Sequence, residues 1–256
     1  MWNIPNLSDQ QVKLFREQGF LVLPNGFGPA QTENIRKWAS EIAGRPEEIG
    51  KHWVYHETSL IDDKQDLINR IENMVPYHEG LAELAYSLIP SCGQLLGEKA
   101  VLFKDKINYK MSGGDGFEPH QDSQAGWQDY ASYFITVMVC IDEATLENGC
   151  LELAPRQESF LDARLVGLEW APLSESETVE MDFKPYPTKP GDVIYFDSYA
   201  PHKSARNYTK ASRRLYFSTY NRLSEGDHSS AYYADKRKSF PPDAEREANK
   251  KYVYRV

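Results

Sequence analysis

The apolar positions of the chain change their period near residue 100. Upstream they recur mostly at helical spacing. Ser8 is a good N-cap for a helix over residues 9–18, and Gly19 stands where that helix would stop. Phe20-Leu21-Val22-Leu23 then reads as a short buried strand. Pro29 suits the first turn of a second helix, with Ile35, Trp38, Ile42 and Ala43 along one face. Residues 52–63 are polar and aromatic and fit either loop or strand. Residues 64–97 read as mainly helical: Leu67, Ile68 and Ile71 recur, then Leu81, Leu84, Ala85 and Leu88, with Pro76 and Pro90 as breaks.

Downstream the pattern becomes a series of short β-type runs: Val101–Phe103, Ile107–Tyr109, Phe134–Ile141, Cys150–Leu153, Asp192–Phe196 and Leu215–Tyr220. Turn clusters separate them, among them Ser112-Gly113-Gly114-Asp115-Gly116, Glu147-Asn148-Gly149 and Lys189-Pro190-Gly191-Asp192. Many short strands behind a helical preface predict a mainly β fold with flanking helices, its core a jelly-roll-like sandwich. The expected organisation is a single domain over 1–256. A helical preface spans 1–98, the β core 99–225 and a C-terminal tail 226–256, in which Pro241–Lys251 reads as a charged surface helix.

Composition narrows the function classes. Hydrophobic residues make up 41% and charged residues 26%, a globular balance. The net charge of −9 speaks against nucleic acid as the main partner, since phosphate binding needs a basic face. No apolar run approaches the ~20 residues of a membrane helix. Met1-Trp2-Asn3-Ile4-Pro5 lacks the look of a secretory signal, and Tyr254-Arg255-Val256 that of a peroxisomal address. Cys92, Cys140 and Cys150 are too few and too irregular for a disulfide framework. A cytoplasmic setting is expected, with a small molecule as partner.

The sharpest local chemistry is His120-Gln121-Asp122. On an extended segment residues i and i+2 face the same side, so the imidazole and the carboxylate can reach one ion. His202, after the apolar Val193-Ile194-Tyr195-Phe196, is the candidate third ligand; two His and one carboxylate leave open positions on an octahedral Fe(II). His52 and His56, four apart, are a rival pair, but Trp53 and Tyr55 beside them fit packing better. Arg213, eleven residues after His202, opens an apolar strand and can grip a carboxylate through its fork, with Ser204 adding a hydroxyl. Strand alternation allows only one of Arg213 and Arg214 to point inward. Taken singly each of these residues has an ordinary structural reading. A cupin-like metal-binding sandwich with other chemistry, a non-catalytic 2-oxoglutarate sensor and a lectin-like sandwich stay open on residues alone.

Taken in order, these residues resemble the phytanoyl-CoA dioxygenase family of Fe(II)/2-oxoglutarate oxygenases. The resemblance runs through Leu7–Phe20 with Leu21-Val22-Leu23-Pro24, Lys106-Ile107-Asn108-Tyr109-Lys110 and Phe117-Glu118-Pro119-His120-Gln121-Asp122. It continues through Ile141–Leu151 with its Glu147-Asn148-Gly149 turn, Pro190-Gly191-Asp192-Val193, His202-Lys203-Ser204 and Arg213. It implies a double-stranded β-helix (cupin-like) core and iron held by His120, Asp122 and His202. It further implies 2-oxoglutarate held by Arg213 and Ser204, with Asn108 and Lys104 contacting the co-substrate. O2 would be consumed, succinate and CO2 released, and a C–H bond oxidised, by hydroxylation in the usual outcome; the carboxylate of Asp122 argues against halogenation. Trp127 and Gln124 are expected at the substrate pocket. The substrate class expected is a small polar metabolite bearing a carboxylate or phosphonate, or a natural-product intermediate. Lys106, Lys110 and Arg70 could supply positive charge to it, although the ordinary expectation for each is a solvated surface cation.

Overall fold

The structure is a computed structural model that describes residues 6–155 and 172–252. The two ends read above for targeting signals lie outside the described residues. Helix α1 (Asp9–Gln18) begins with a reciprocal cap. Ser8 Oγ accepts from the Gln11 N–H (3.3 Å), and Gln11 Oε1 accepts from the Ser8 N–H (2.8 Å). It ends at Gly19, whose φ of 83° lies in the left-handed region that glycine adopts without a Cβ clash.

Seven strands form one antiparallel sheet: β1 (Phe20–Leu23), β2 (Trp53–Thr58), β3 (Asp66–Glu72), β4 (Ala100–Lys110), β6 (Phe134–Cys140), β9 (Val193–Asp197) and β11 (Arg213–Arg222). Their order is β1-β9-β6-β11-β4-β3-β2. A smaller sheet, β5-β10-β7-β8, consists of β5 (Phe117–His120), β7 (Leu151–Leu153), β8 (Lys184–Tyr186) and β10 (His202–Ser204). The two sheets make the expected jelly-roll core. Helices α2 (Pro29–Ala43), α3 (Glu79–Ser87) and α4 (Ile89–Leu96) cover the outer face of the large sheet; a one-turn α5 (Glu175–Thr178) and α6 (Ser229–Ser239) follow later in the chain. Among the described residues no helix is long and apolar enough to cross a membrane.

Alternation along the central strands divides the molecule into two interiors. Ile107, Tyr109, Ile135, Val137, Val139 and Tyr216 pack outward against Ile35, Ala39, Ile42, Leu84 and Leu88 of the helices. Met138, Cys140, Leu215 and Phe217 face inward and meet Leu151 and Leu153 of the small sheet. The same inward face carries a polar row: Lys104, Lys106, Asn108 and Lys110 on β4, Thr136 on β6, and Arg213 and Thr219 on β11. A one-residue slip would exchange this row for the outer apolar set, so burial of the outer face fixes the register that delivers the row to the interior.

Two expectations fail. Residues 64–97 are not mainly helical from their start, because Asp66–Glu72 is strand β3, paired with both β2 and β4. Its apolar residues recur at a spacing that suits either period, and the long-range ladder decides. Pro241–Lys251 is not a helix but a segment with a short 3-10 turn at Asp243–Glu245. The C-terminal helix lies earlier, at Ser229–Ser239, where Tyr232 and Tyr233 pack with Trp53, Phe103 and Phe134; Pro241 and Pro242 prevent its continuation. The runs at 101–103 and 107–109 are one strand, β4.

Candidate metal centre and its cavity

His120 ends β5, and His202 begins the adjacent β10 directly opposite it in the ladder, with ring centroids 4.1 Å apart. Gln121 keeps an extended backbone (φ −114°, ψ 135°), so Asp122 returns to the side His120 occupies before a 3-10 turn begins. One ligand atom from each of His120, Asp122 and His202 lies within 4.8 Å of the others, and all three residues are buried.

The hydrogen bonds around the triad set its protonation. His120 Nδ1 lies 2.7 Å from the Glu118 carbonyl and His202 Nδ1 3.0 Å from that of Ala200. A carbonyl only accepts, so each Nδ1 carries the proton and each Nε2 presents its lone pair to the centre. Burial pushes His120 down to about 3, helped by the neighbouring His202, and burial likewise lowers His202. Burial alone would raise Asp122, but His202, Lys106 and His120 hold its carboxyl below the usual value. The result is two neutral imidazoles and one carboxylate near neutral pH, the donor set that suits Fe(II). Thr136 Oγ1 donates to Asp122 Oδ2 (3.0 Å), leaving Oδ1, which lies 3.9 Å from His202 Nε2, aimed at the centre.

The triad opens into a cavity of about 370 Å3, lined also by Arg70, Lys104, Lys106, Asn108, Trp127, Ser204 and Arg213. Arg213 is 2% exposed; its Nη2 donates to the Gly149 carbonyl, its Nε has no partner, and among the described residues no carboxylate pairs with it. Burial lowers its pKa to about 10, so it stays a cation. Opposite it in the ladder is Lys110, which donates to Ser204 Oγ (2.7 Å) and to the Ala205 carbonyl. With that lone pair occupied, the Ser204 hydroxyl hydrogen is directed elsewhere. Arg214, on the alternate side, pairs with Asp142 (Nε to Oδ2, 2.6 Å). Asn108 lines the same wall, its Oδ1 without a partner.

Other expected residues fare differently. Trp127 lines the cavity within an aromatic cluster, with Lys104 Nζ 4.7 Å from its ring centroid. Gln124 does not: its Oε1 accepts from the Gln121 N–H (2.8 Å) and closes the turn that carries Asp122. Arg70 and Lys110 are not solvated surface cations but 3% and 2% exposed, and Lys106 lines the cavity; inward positions on β3 and β4 bury them. His52 and His56 stay apart from the centre, His56 standing against Glu47 and Asp243. Thr136 was missed, although a lone hydroxyl residue inside the apolar run Phe134–Ile141 was the available signal. Tyr232, Lys236 and Glu72 were missed because α6 and β3 were not recognised as walls of the site.

The match to known proteins is broad. Residues 15–215 match the family model described as Phytanoyl-CoA dioxygenase (PhyH). The chain belongs to the phytanoyl-CoA dioxygenase family. It is an Fe(II)/2-oxoglutarate-dependent dioxygenase, with Fe(II), 2-oxoglutarate and O2 as its reaction partners. It is 39% identical over 252 residues to a 2-aminoethylphosphonate dioxygenase from Uncultured bacterium HF130_AEPn_1, covering 96% of this dioxygenase and 93% of the relative. It is 38% identical over 238 residues to a methylphosphonate hydroxylase from Gimesia maris, covering 91% and 88%. The fold is shared with EctD from S. alaskensis, crystallised with 2-oxoglutarate and 5-hydroxyectoine. That match has a TM-score of 0.68 at 22% identity and covers 88% of this chain and 80% of that one.

Proposed function

We propose that this dioxygenase hydroxylates a C–H bond of a small organophosphonate, using His120, Asp122 and His202 to hold iron and Arg213 with Ser204 to hold 2-oxoglutarate. The observation that carries the reading is a buried two-histidine, one-carboxylate set sharing a cavity with an arginine that has no carboxylate partner among the described residues. The substrate class follows the two relatives, whose names specify phosphonates.

Iron, when bound, supplies O2 activation coupled to oxidative decarboxylation of 2-oxoglutarate, so that one oxygen atom enters succinate and the other the substrate. The chain supplies the geometry. Thr136 orients Asp122, the Glu118 and Ala200 carbonyls fix both imidazole tautomers, and the Arg213 fork with the Ser204 hydroxyl anchors the far carboxylate of the co-substrate. Trp127, Phe196 and Phe217 give the cavity its apolar lining beside the triad.

Anaerobic titration with Fe(II) and 2-oxoglutarate tests the site. A weak visible metal-to-ligand charge-transfer band is expected in the wild type and not in His120→Ala; a band unchanged in that variant removes His120 from the ligand set. Succinate release with 2-aminoethylphosphonate and methylphosphonate, followed by 31P NMR of the product, tests the substrate class. No phosphonate-dependent succinate with an intact band would refute it.

A further inference from the structure

We propose that Lys104, Lys106, Arg70 and Lys236 form a cradle for a doubly charged tetrahedral oxyanion on the substrate, and that buried Glu72 is the counter-charge positioning Arg70 and Lys236. The proposal rests on the organophosphonate reading and deepens it, by naming the residues that recognise the head group and the charge they require.

Strand register sets the charge pattern of the inner wall. The inward positions of β4 pair with those of β11 as Lys110 with Arg213, Asn108 with Leu215, Lys106 with Phe217 and Lys104 with Thr219. From Lys110 to Lys104 is six residues, roughly 20 Å along the strand. Positive charge therefore stands at two poles of one wall, with a neutral Asn108/Leu215 step between them. The triad joins them: Ser204, two residues from His202, takes a hydrogen bond from Lys110, while Asp122 accepts from Thr136, whose Oγ1 is 3.0 Å from Thr219 Oγ1, beside Lys104. A five-carbon dicarboxylate anchored at Arg213 and reaching the metal cannot also satisfy the far pole. That pole needs a second anion, and Lys104 moves from the co-substrate side to the substrate side.

The composition of the far pole specifies the anion. Lys106 has a Phe217 ring 5.2 Å from its Nζ and, among the described residues, no hydrogen-bond or ion-pair partner. Lys104 Nζ has neutral neighbours, Tyr232 Oη at 3.2 Å and the Trp127 ring. Glu72, fully buried, stands 2.8 Å from Arg70 Nε and 2.5 Å from Lys236 Nζ. Four basic side chains stand here with one carboxylate in direct contact; Asp129 and Asp235 also line the cavity and burial lowers Lys106 to about 7, and the wall still holds an excess of basic groups. Ferrous iron, Asp122, doubly charged 2-oxoglutarate and the Arg213 guanidinium sum to zero, so the centre supplies no counter-charge to this wall. A dianionic head group therefore offsets more of this basic wall than a carboxylate or sulfonate, each with a single charge, can. Several separated ammonium and guanidinium donors also suit the three oxygens of a phosphonate better than a planar carboxylate.

Isosteric ligands separate charge from shape. Binding of 2-aminoethylphosphonate, methylphosphonate, their sulfonate counterparts and inorganic phosphate is measured on the anaerobic Fe(II)·2-oxoglutarate holoenzyme, through the change each causes in the charge-transfer band. The wild type should bind each phosphonate at least about tenfold more tightly than the matching sulfonate. Lys104→Met and Lys106→Met should each weaken phosphonate binding roughly 10- to 150-fold, the loss of one charge-assisted contact. Both should narrow the phosphonate–sulfonate gap and keep 2-oxoglutarate affinity within about threefold. Lys106→Arg should recover part of the loss. Phosphate that competes with phosphonate in the wild type and not in Lys106→Met supports the cradle as an oxyanion site. Equal binding of phosphonate and sulfonate, or lysine variants that lose 2-oxoglutarate and phosphonate together, overturns the cradle. Phosphonate turnover unaffected by either lysine overturns the cradle alone; no phosphonate binding beside an intact band overturns the substrate reading with it.

Discussion

Replacing Arg213 by methionine should cost co-substrate affinity far more than it costs stability. The guanidinium is 2% exposed, makes one hydrogen bond to the Gly149 carbonyl and has no carboxylate partner among the described residues. Burying a charge without a counter-ion costs several kcal/mol, and burial accordingly pulls its pKa down to about 10. An apolar side chain of similar length removes that cost, at the expense of one carbonyl left without its donor, about 1–3 kcal/mol. The free protein should therefore lose little stability or gain some. In the complex the loss is larger, because truncating one partner of a buried charge pair costs about 2–5 kcal/mol, or roughly 30- to 5,000-fold in Kd. Urea unfolding of the iron-free protein, run with and without 2-oxoglutarate, reads both quantities. An Arg213→Met protein that loses more than about 2 kcal/mol without ligand and binds 2-oxoglutarate within about tenfold of the wild type would refute this role for Arg213.

Four further outcomes are expected. Glu72→Gln strands Arg70 and Lys236 without their carboxylate and should cost about 3–5 kcal/mol, lowering Tm by roughly 6–20 °C. Glu72→Met with Lys236→Met should cost less than the two single changes added, and simple additivity in thermal unfolding would show that the pair is not coupled. Lys110 is pushed down to about 6 by burial and by Arg213, against 10.5 for the free side chain. Between those values the unfolded chain holds a proton that the folded chain does not, so stability should rise with pH across that window; Lys110→Met should flatten the rise, and an unchanged slope would count against it. Thr136→Val removes the donor to Asp122 Oδ2 and should weaken Fe(II) binding by about 10–100-fold in a chelator-competition titration, with little change if Asp122 is held by other contacts.

The site residues differ in how far local sequence marks them. His120, Asp122, His202, Ser204 and Arg213 stood out in the sequence because each sits at a fixed spacing from a strand or from another ligand type. The extended Gln121 and the β5–β10 pairing then did what that spacing requires. The inward lysines were visible at every second position of β4, yet solvation is the ordinary fate of a lone lysine, and only the register of β4 against β11 and β3 turns that row into a buried wall. Gln124 shows the converse: adjacency to the ligands suggested the pocket, and a local turn claimed its amide.

The sequence by itself pointed to His120, Asp122 and His202 as candidate ligands, to Arg213 as candidate co-substrate anchor and to the β core, because these depend on short-range alternation and local turn chemistry. The far wall was decided only by tertiary structure. It joins Arg70 from β3, Lys104 and Lys106 from β4 and Lys236 from α6 around Glu72, residues up to 166 positions apart in the chain. Their meeting depends on which sheet edge β3 joins and where α6 docks. Helical and extended readings of Asp66–Glu72 were nearly equal in local terms, and the long-range ladder to β2 and β4 broke the tie.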